Sequence, residues 1–301
     1  MKTILSIVVL WFLTIITSFA QLPITVKETN LQFKHGSTPG LLLTIPEVPL
    51  KTIEDSWVKT LEKGTKSKVQ KEMGEMGIFG AILKDIAGGS LNVYSYIKQT
   101  DTVIVLAASF ELKKDEYITS EKRNFEFDKA KAFMFQFAKD HYLDLAKDEM
   151  QTEEKKLNKL ESDLNSIENG KGKLEKMVQS NTSDIKTKNE ELVVLRASLQ
   201  SLSAELTTQT TQLEVMGDGT GKEEKRKYIA DLEKRIKKTE NEISSGEKKV
   251  TAMTSEIENA QRDGIPNNLK EQERLKREIA EQKEVVRHYT NKHNTIKAYS
   301  I

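Results

Sequence analysis

The chain has no cysteine, only 5 prolines, 6% aromatic residues and no excess of charge of either sign. Each shortage excludes something. Without cysteine there is no disulfide, no thiolate metal site and no lipidated N-terminal cysteine. A chain of this size must then be held by packing alone. The 47 basic and 46 acidic residues leave a net charge of +1. From Gln21 to Arg123 the balance is 14 basic to 13 acidic, so neither part forms the clustered positive surface that neutralises phosphates, and nucleic-acid binding is excluded as a class. Past Ala20 no apolar run approaches the ~20 residues of a membrane-spanning helix.

Reactive constellations are also lacking. The 4 histidines are His35, His141, His288 and His293. His288 and His293 do not share a helix face, and His141 falls on an apolar stripe, so no metal site is expected. There is no G-x-S-x-G elbow and no spaced Ser/His/Asp set. The carboxylate pairs Glu153-Glu154 and Glu190-Glu191 lie on solvated helix faces, without a pocket to separate their pKa values. Gly217 to Lys222 resembles a phosphate-binding loop, but Met216 stands at the first glycine position and Glu223 replaces the hydroxyl residue. Asp218 supplies one carboxylate where a calcium loop needs several. No catalytic, cofactor-binding or metal residue is therefore assigned, no cofactor is expected, and the chain reads as a non-enzyme.

What is present begins with an address. Lys2, the apolar run Ile4 to Ile16 and the small residues of Ser18-Phe19-Ala20 form a signal-peptide pattern with cleavage before Gln21. Residues 1–20 are thus expected to be removed and the protein exported, periplasmic or secreted.

The strongest signal is a seven-residue apolar repeat from Leu157 to Met216. One set of positions reads Leu157, Leu164, Lys171, Val178, Ile185, Leu192, Leu199, Leu206, Leu213. The other reads Leu160, Ile167, Leu174, Asn181, Lys188, Leu195, Leu202, Gln209, Met216. Fourteen of the eighteen are apolar, a coiled-coil seam, with Asn181, Lys188 and Gln209 as register-setting polar residues. After Gly217-Asp218-Gly219-Thr220-Gly221 the repeat restarts at Ile229, Leu232, Ile236, Thr239, Ile243, Gly246, Val250, Met253, Ile257 and Ala260. Nearly equal arms about a glycine-rich turn predict an antiparallel hairpin over 146–301 with its turn at 217–221. Reflection about Gly219 sets Gly170-Lys171-Gly172 opposite Pro266, Asn267 and Asn268. The second repeat slips there by one residue, resuming at Leu275, Ile279, Val286, Tyr289 and Ile296, so an elbow is expected near 170–172 and 264–268. Two other arrangements fit the stripes: a four-helix bundle folded at the elbow, and pairing between chains.

The segment 21–145 reads as a small α+β domain. Strands are expected around Ile24–Phe33, Leu41–Ile45, Lys68–Met73, Ile78–Lys84, Leu91–Lys98 and Thr102–Leu112, with a turn over Gly36–Gly40. A helix over Thr52–Glu62 carries Ile53, Trp57, Val58 and Leu61 on one face. A second starts near Phe125 with the stripe Ala130, Phe133, Met134, Phe137, Ala138, His141, Tyr142, Leu145. The order β-β-α-β-β-β-β-α predicts an antiparallel sheet covered by helices, with the last helix continuing into the coiled coil.

Two short signals concern modification. Asn181-Thr182-Ser183 fits the N-glycosylation sequon, and Asp101-Thr102-Val103 resembles the O-glycosylation motif of exported proteins in Bacteroidota-type bacteria. Together, Ser18-Phe19-Ala20-Gln21, the stretch from Leu43-Thr44-Ile45-Pro46 to Trp57-Val58-Lys59 and the charged C-terminal coil resemble uncharacterised exported coiled-coil proteins of Bacteroidota-type bacteria. The resemblance implies an envelope location and supplies no activity or site. The expected function is that of a non-enzymatic structural or interaction protein presenting an α+β head on a helical hairpin, with a protein partner or self-association through the coiled coil. The alternative is a head that binds a lipid, glycan or peptide between its sheet and its phenylalanine-rich helix, the coiled coil serving as oligomerisation handle.

Overall fold

The structure, a computed structural model, describes residues 23–101 and 103–301. The expected signal peptide and its cleavage site lie outside the described residues, as does Thr102. The chain is an α+β head whose last helix runs on into an antiparallel helical hairpin. Its contacts divide it into two units: the chain through Lys156 together with Lys283–Ile301, and Leu157–Gln282.

The first unit is built on strands β1 (Thr25–Phe33), β2 (Gly36–Pro46), β3 (Gln70–Glu72), β4 (Glu75–Ala81), β5 (Leu91–Thr100), β6 (Val103–Lys113) and β7 (Glu116–Tyr117), with helix α1 (Leu50–Glu62) between β2 and β3. The sheet is antiparallel in the order β1-β2-β6-β5-β4-β3, and β7 adds to β6. Period-two alternation makes the two faces different. Leu41, Leu43, Ile45, Leu91, Val93, Ile104, Leu106 and Phe110 are buried in the main core with Ile53, Trp57 and Leu61 of α1. Ala130, Met134, Phe137, Ala138 and Tyr142 from the start of α2 (Asn124–Glu214) complete it. Trp57 is fully buried, with Phe137 edge-on at 5.2 Å and Phe133 at 6.2 Å. Its indole Nε1 donates to Ser95 Oγ at 3.0 Å, so the one polar group of the ring is not left bare. The phenylalanine stripe is therefore packed core; its rings occupy the space the ligand alternative needs.

Local differences from the sequence reading have physical causes. Gly36–Gly40 is not a turn but the first half of β2; the turn is Lys34-His35. Gly40 is needed for close approach, since a Cβ there would lie 2.5 Å from Leu31 Cδ1 and 2.6 Å from the Ala108 carbonyl oxygen. The β3–β4 connection Met73-Gly74 has both φ angles positive, +50° and +85°, which matches the twist of a two-residue hairpin. The fourth strand stops at Ala81 instead of reaching Lys84, after a register shift. Strand β7 adds one element to the expected order.

In the second unit α2 pairs with the return arm, formed by α3 (Thr220–Asn259), a single π turn (Ala260–Gly264) and the start of α4 (Ile265–Lys297). All eighteen seam positions from Leu157 to Met216 are buried or half-buried, with Leu192 and Leu202 fully so. Partners fall close to the reflection about Gly219. Gln212 accepts from Lys225 (2.6 Å), Arg196 pairs with Glu247 (2.7 Å), Asn181 donates to Glu256 (2.8 Å) and Lys276 lies 3.6 Å from Glu168. Gly246 lies against Leu192 and Gly264 against Leu174, so tightly that a Cβ would stand 2.8 Å and 3.0 Å from the leucine side chains. This continuous pairing is a hairpin and not a four-helix bundle folded at the elbow. The tip turn spans 215–219 rather than 217–221, because Thr220 and Gly221 already belong to α3.

The expected elbow takes an unexpected form. Gly170–Gly172 stays helical, and the return arm has no loop at 264–268. Instead Ile265 N–H donates to Ala260 O, an i→i+5 bond that inserts one extra residue into the helix. That insertion is the one-residue slip. Carried on without it, the repeat would bring Asn267, Glu271, Arg274, Glu278 and Glu281 into the seam; with it, Asn268, Gln272, Leu275, Ile279 and Gln282 face inward. The wide turn also stands immediately before Pro266, whose ring would clash with the carbonyl of residue 262 in a regular α-helix.

Candidate functional site

The residues weighed in the sequence are dispersed. Asp218 is exposed at the tip and accepts from Lys222 at 3.0 Å. His35 lies beside the sheet, while His288 and His293 sit on α4. His141 is half-buried, edge-on to Phe137 at 4.8 Å, and burial lowers its pKa against the smaller opposing pull of Asp144 and Asp140. Three of the polar seam residues have partners: Lys171 bonds Glu175, Lys188 bonds Glu191 and Asn181 bonds Glu256. Asn181, the sequon residue, is thus a seam residue of a helix and not a loop acceptor. Among the described residues no group of three His, Asp or Glu is placed to hold a metal ion. Nor is any described helix long and apolar enough to cross a membrane.

Two clusters in the first unit escaped the sequence reading. The first joins three distant segments. Lys292 of α4, with only 10% of its side chain exposed, donates to Glu47 at 2.5 Å and to Glu149 at 2.8 Å. Tyr142 is fully buried and donates its hydroxyl to the other Glu47 oxygen at 2.9 Å. Its ring lies 5.7 Å below the ammonium. Burial would lower the Lys292 pKa, but the bonds to Glu149 and Glu47 outweigh it and the net shift is upward. Burial, reinforced by Glu47, pushes the Tyr142 phenol far above its ordinary value. Glu47 holds φ +60°, a conformation side chains seldom adopt, so the loop after β2 is strained where it delivers this carboxylate. Nearby, Lys139 donates to the Tyr299 carbonyl at 2.8 Å and Ile296 is fully buried. The cluster is a clasp that fixes the end of α4 to the head.

The second cluster lies on the sheet face that the helices leave open. Leu31, Phe33 and Ala107 form a small secondary core there with Leu42, Tyr94 and Tyr96. His35 stacks on Phe33 at 5.4 Å and approaches Tyr94 at 4.6 Å; Phe79, 53% exposed, meets Tyr94 edge-on at 6.0 Å. Lys98 sits 4.8 Å over Tyr96. At one end Glu111, only 5% exposed, accepts from Asn92 Nδ2 (2.8 Å), Tyr94 OH (3.3 Å) and the Asp115 amide (2.9 Å). Burial, then the Glu111 charge, pushes the Tyr94 phenol up to about 12. The surface offers ring faces and edges beside a network of hydrogen-bonding groups, and holds no nucleophile activated by a base.

No protein-family model matches the chain, and no curated protein matches it by sequence. Among solved structures it is similar to a coiled-coil segment of the Smc protein of Pyrococcus yayanosii, with 21% identity and a TM-score of 0.43. The match covers 53% of this chain and 66% of that segment. A likeness at this level says nothing of function.

Proposed function

We propose that the chain is a non-enzymatic structural or interaction protein, exported through a cleaved signal peptide to the periplasm or beyond, in which a helical hairpin carries a small α+β head. The observation that supports this best is the closed seam. From Leu157 to Met216 every position of the stripe is buried or half-buried within the chain while charged residues line the outer faces. A hairpin that has used its stripe on itself is a scaffold, not a groove awaiting a helix. Association with a protein partner or a second copy then uses outer faces. Cross-linking with mass spectrometry in the native cell tests this. The expected result is links between the arms that mirror about Gly219, together with links to another protein or copy, in a chain that begins at Gln21. A chain that keeps residues 1–20, or that links to nothing beyond itself, contradicts the reading.

A second reading, a small-ligand head, finds support in the open aromatic face rather than in the packed phenylalanine stripe. Native mass spectrometry of the purified full chain separates the two: a co-purifying small molecule favours a ligand, and a bare mass the scaffold.

A further inference from the structure

We propose that the hairpin is jointed, bending within Leu157–Gln282 at the height where Gly170–Gly172 of α2 faces the stretch Ala260–Gln272. Three independent features meet there. On α2, a Cβ at Gly172 would meet nothing within 4 Å, and one at Gly170 only the Asn268 side chain at 3.4 Å. Alanine would fit at both, so these glycines serve no close approach, unlike Gly246 and Gly264. What they do is weaken the helix, each by about 1 kcal/mol relative to alanine. On the return arm, the π turn Ala260–Gly264 replaces regular α-helical bonds, and Pro266 lacks an N–H to restore the next one. Between Ala260 and Leu275 the inward positions of the return arm are Gly264, Asn268 and Gln272, and half-buried Ile265 is the one large apolar side chain among them. Gln272 is 8% exposed and its buried Nε2 has no hydrogen-bond partner. Helix propensity, backbone bonding and seam packing therefore reach their minimum together, on both arms, at one level. Register survives because the π turn has already absorbed the slip, so bending there need not unzip the apolar seam on either side.

The absence of native cysteine allows a direct test. Spin labels at S162C and S201C in the full chain report a distance along α2 across Gly170–Gly172. A stiffened variant combines G170A, G172A, P266A and deletion of Asp263, which removes the inserted residue and the proline that needs it and keeps both seam halves in phase. The distance distribution is expected to be at least twofold broader in the labelled parent than in the stiffened variant. Amide exchange in the parent should be at least tenfold faster at 168–174 and 258–270 than in the adjoining turns. Equal widths, or exchange no faster than in the neighbours, overturns the joint. Should the stiffened variant fail to fold, exchange in the parent decides alone.

Discussion

Single residues carry the head's most testable chemistry. Lys292→Met keeps the aliphatic packing but leaves Glu47 and Glu149 facing each other. The expected loss is about 3 kcal/mol, the low end of what breaking a buried pair costs, because both carboxylates keep about a third of their surface in water. Adding Glu47→Gln and Glu149→Gln should recover part of it in chemical denaturation; a loss that the added substitutions leave untouched would point to packing instead. His141 gives a pH signature. Its folded pKa lies below the ordinary histidine value, so acid adds a proton to the unfolded chain before the folded one. Its contribution is complete above about pH 6.5 and fades as pH falls toward the depressed folded value. Melting temperature measured from neutral to mildly acidic pH should fall more steeply in the wild type than in His141→Gln, and parallel curves would remove His141 as the cause. The sequence placed His141 on the apolar stripe of α2, which is where it lies. It could not show the clasp, because Lys292 and Glu47 stand 245 residues apart and no local pattern joins them.

At the level of elements, legibility followed periodicity. The hairpin arms, the inward set Leu91, Val93 and Ser95 and the Trp57 face of α1 could be read because burial imposes periods of 3.5, 2 and 3.6 residues on the side chains. Gly36–Gly40 was misread because glycine composition does not separate a turn from a strand that another backbone approaches closely. The slip near Pro266 was visible, but a sequence period cannot tell a loop from a π turn, since both insert residues between two phases. The structural account makes a sharp distinction between deletions. Removing Ser244, exposed in the middle of α3, breaks the phase between that point and the tip. Removing Asp263, with Pro266→Ala to relieve the ring clash that a regular helix would bring, restores a single uninterrupted repeat. Thermal melting followed by circular dichroism should show the Ser244 deletion clearly destabilised and the Asp263 deletion, combined with Pro266→Ala, at least as stable as Pro266→Ala alone. Equal losses would mean that the π turn does not carry the register correction.

For the molecule as a whole, the head and the hairpin use their apolar surfaces differently. The head buries one sheet face under α1 and α2 and leaves rings on the other. The hairpin closes its stripe within a single chain. The proposed scaffold role depends on that closure, because arms paired between chains would make the same sequence an obligate oligomer. The direct test places one cysteine on each arm, at N181C and E256C, whose native side chains meet at 2.8 Å. A short bismaleimide linker is applied to the dilute full chain, alongside a mismatched pair, N181C with K234C. The account predicts efficient bridging of the matched pair alone, in a product of monomer mass; bridging only between chains, or equally in the mismatched pair, would contradict it.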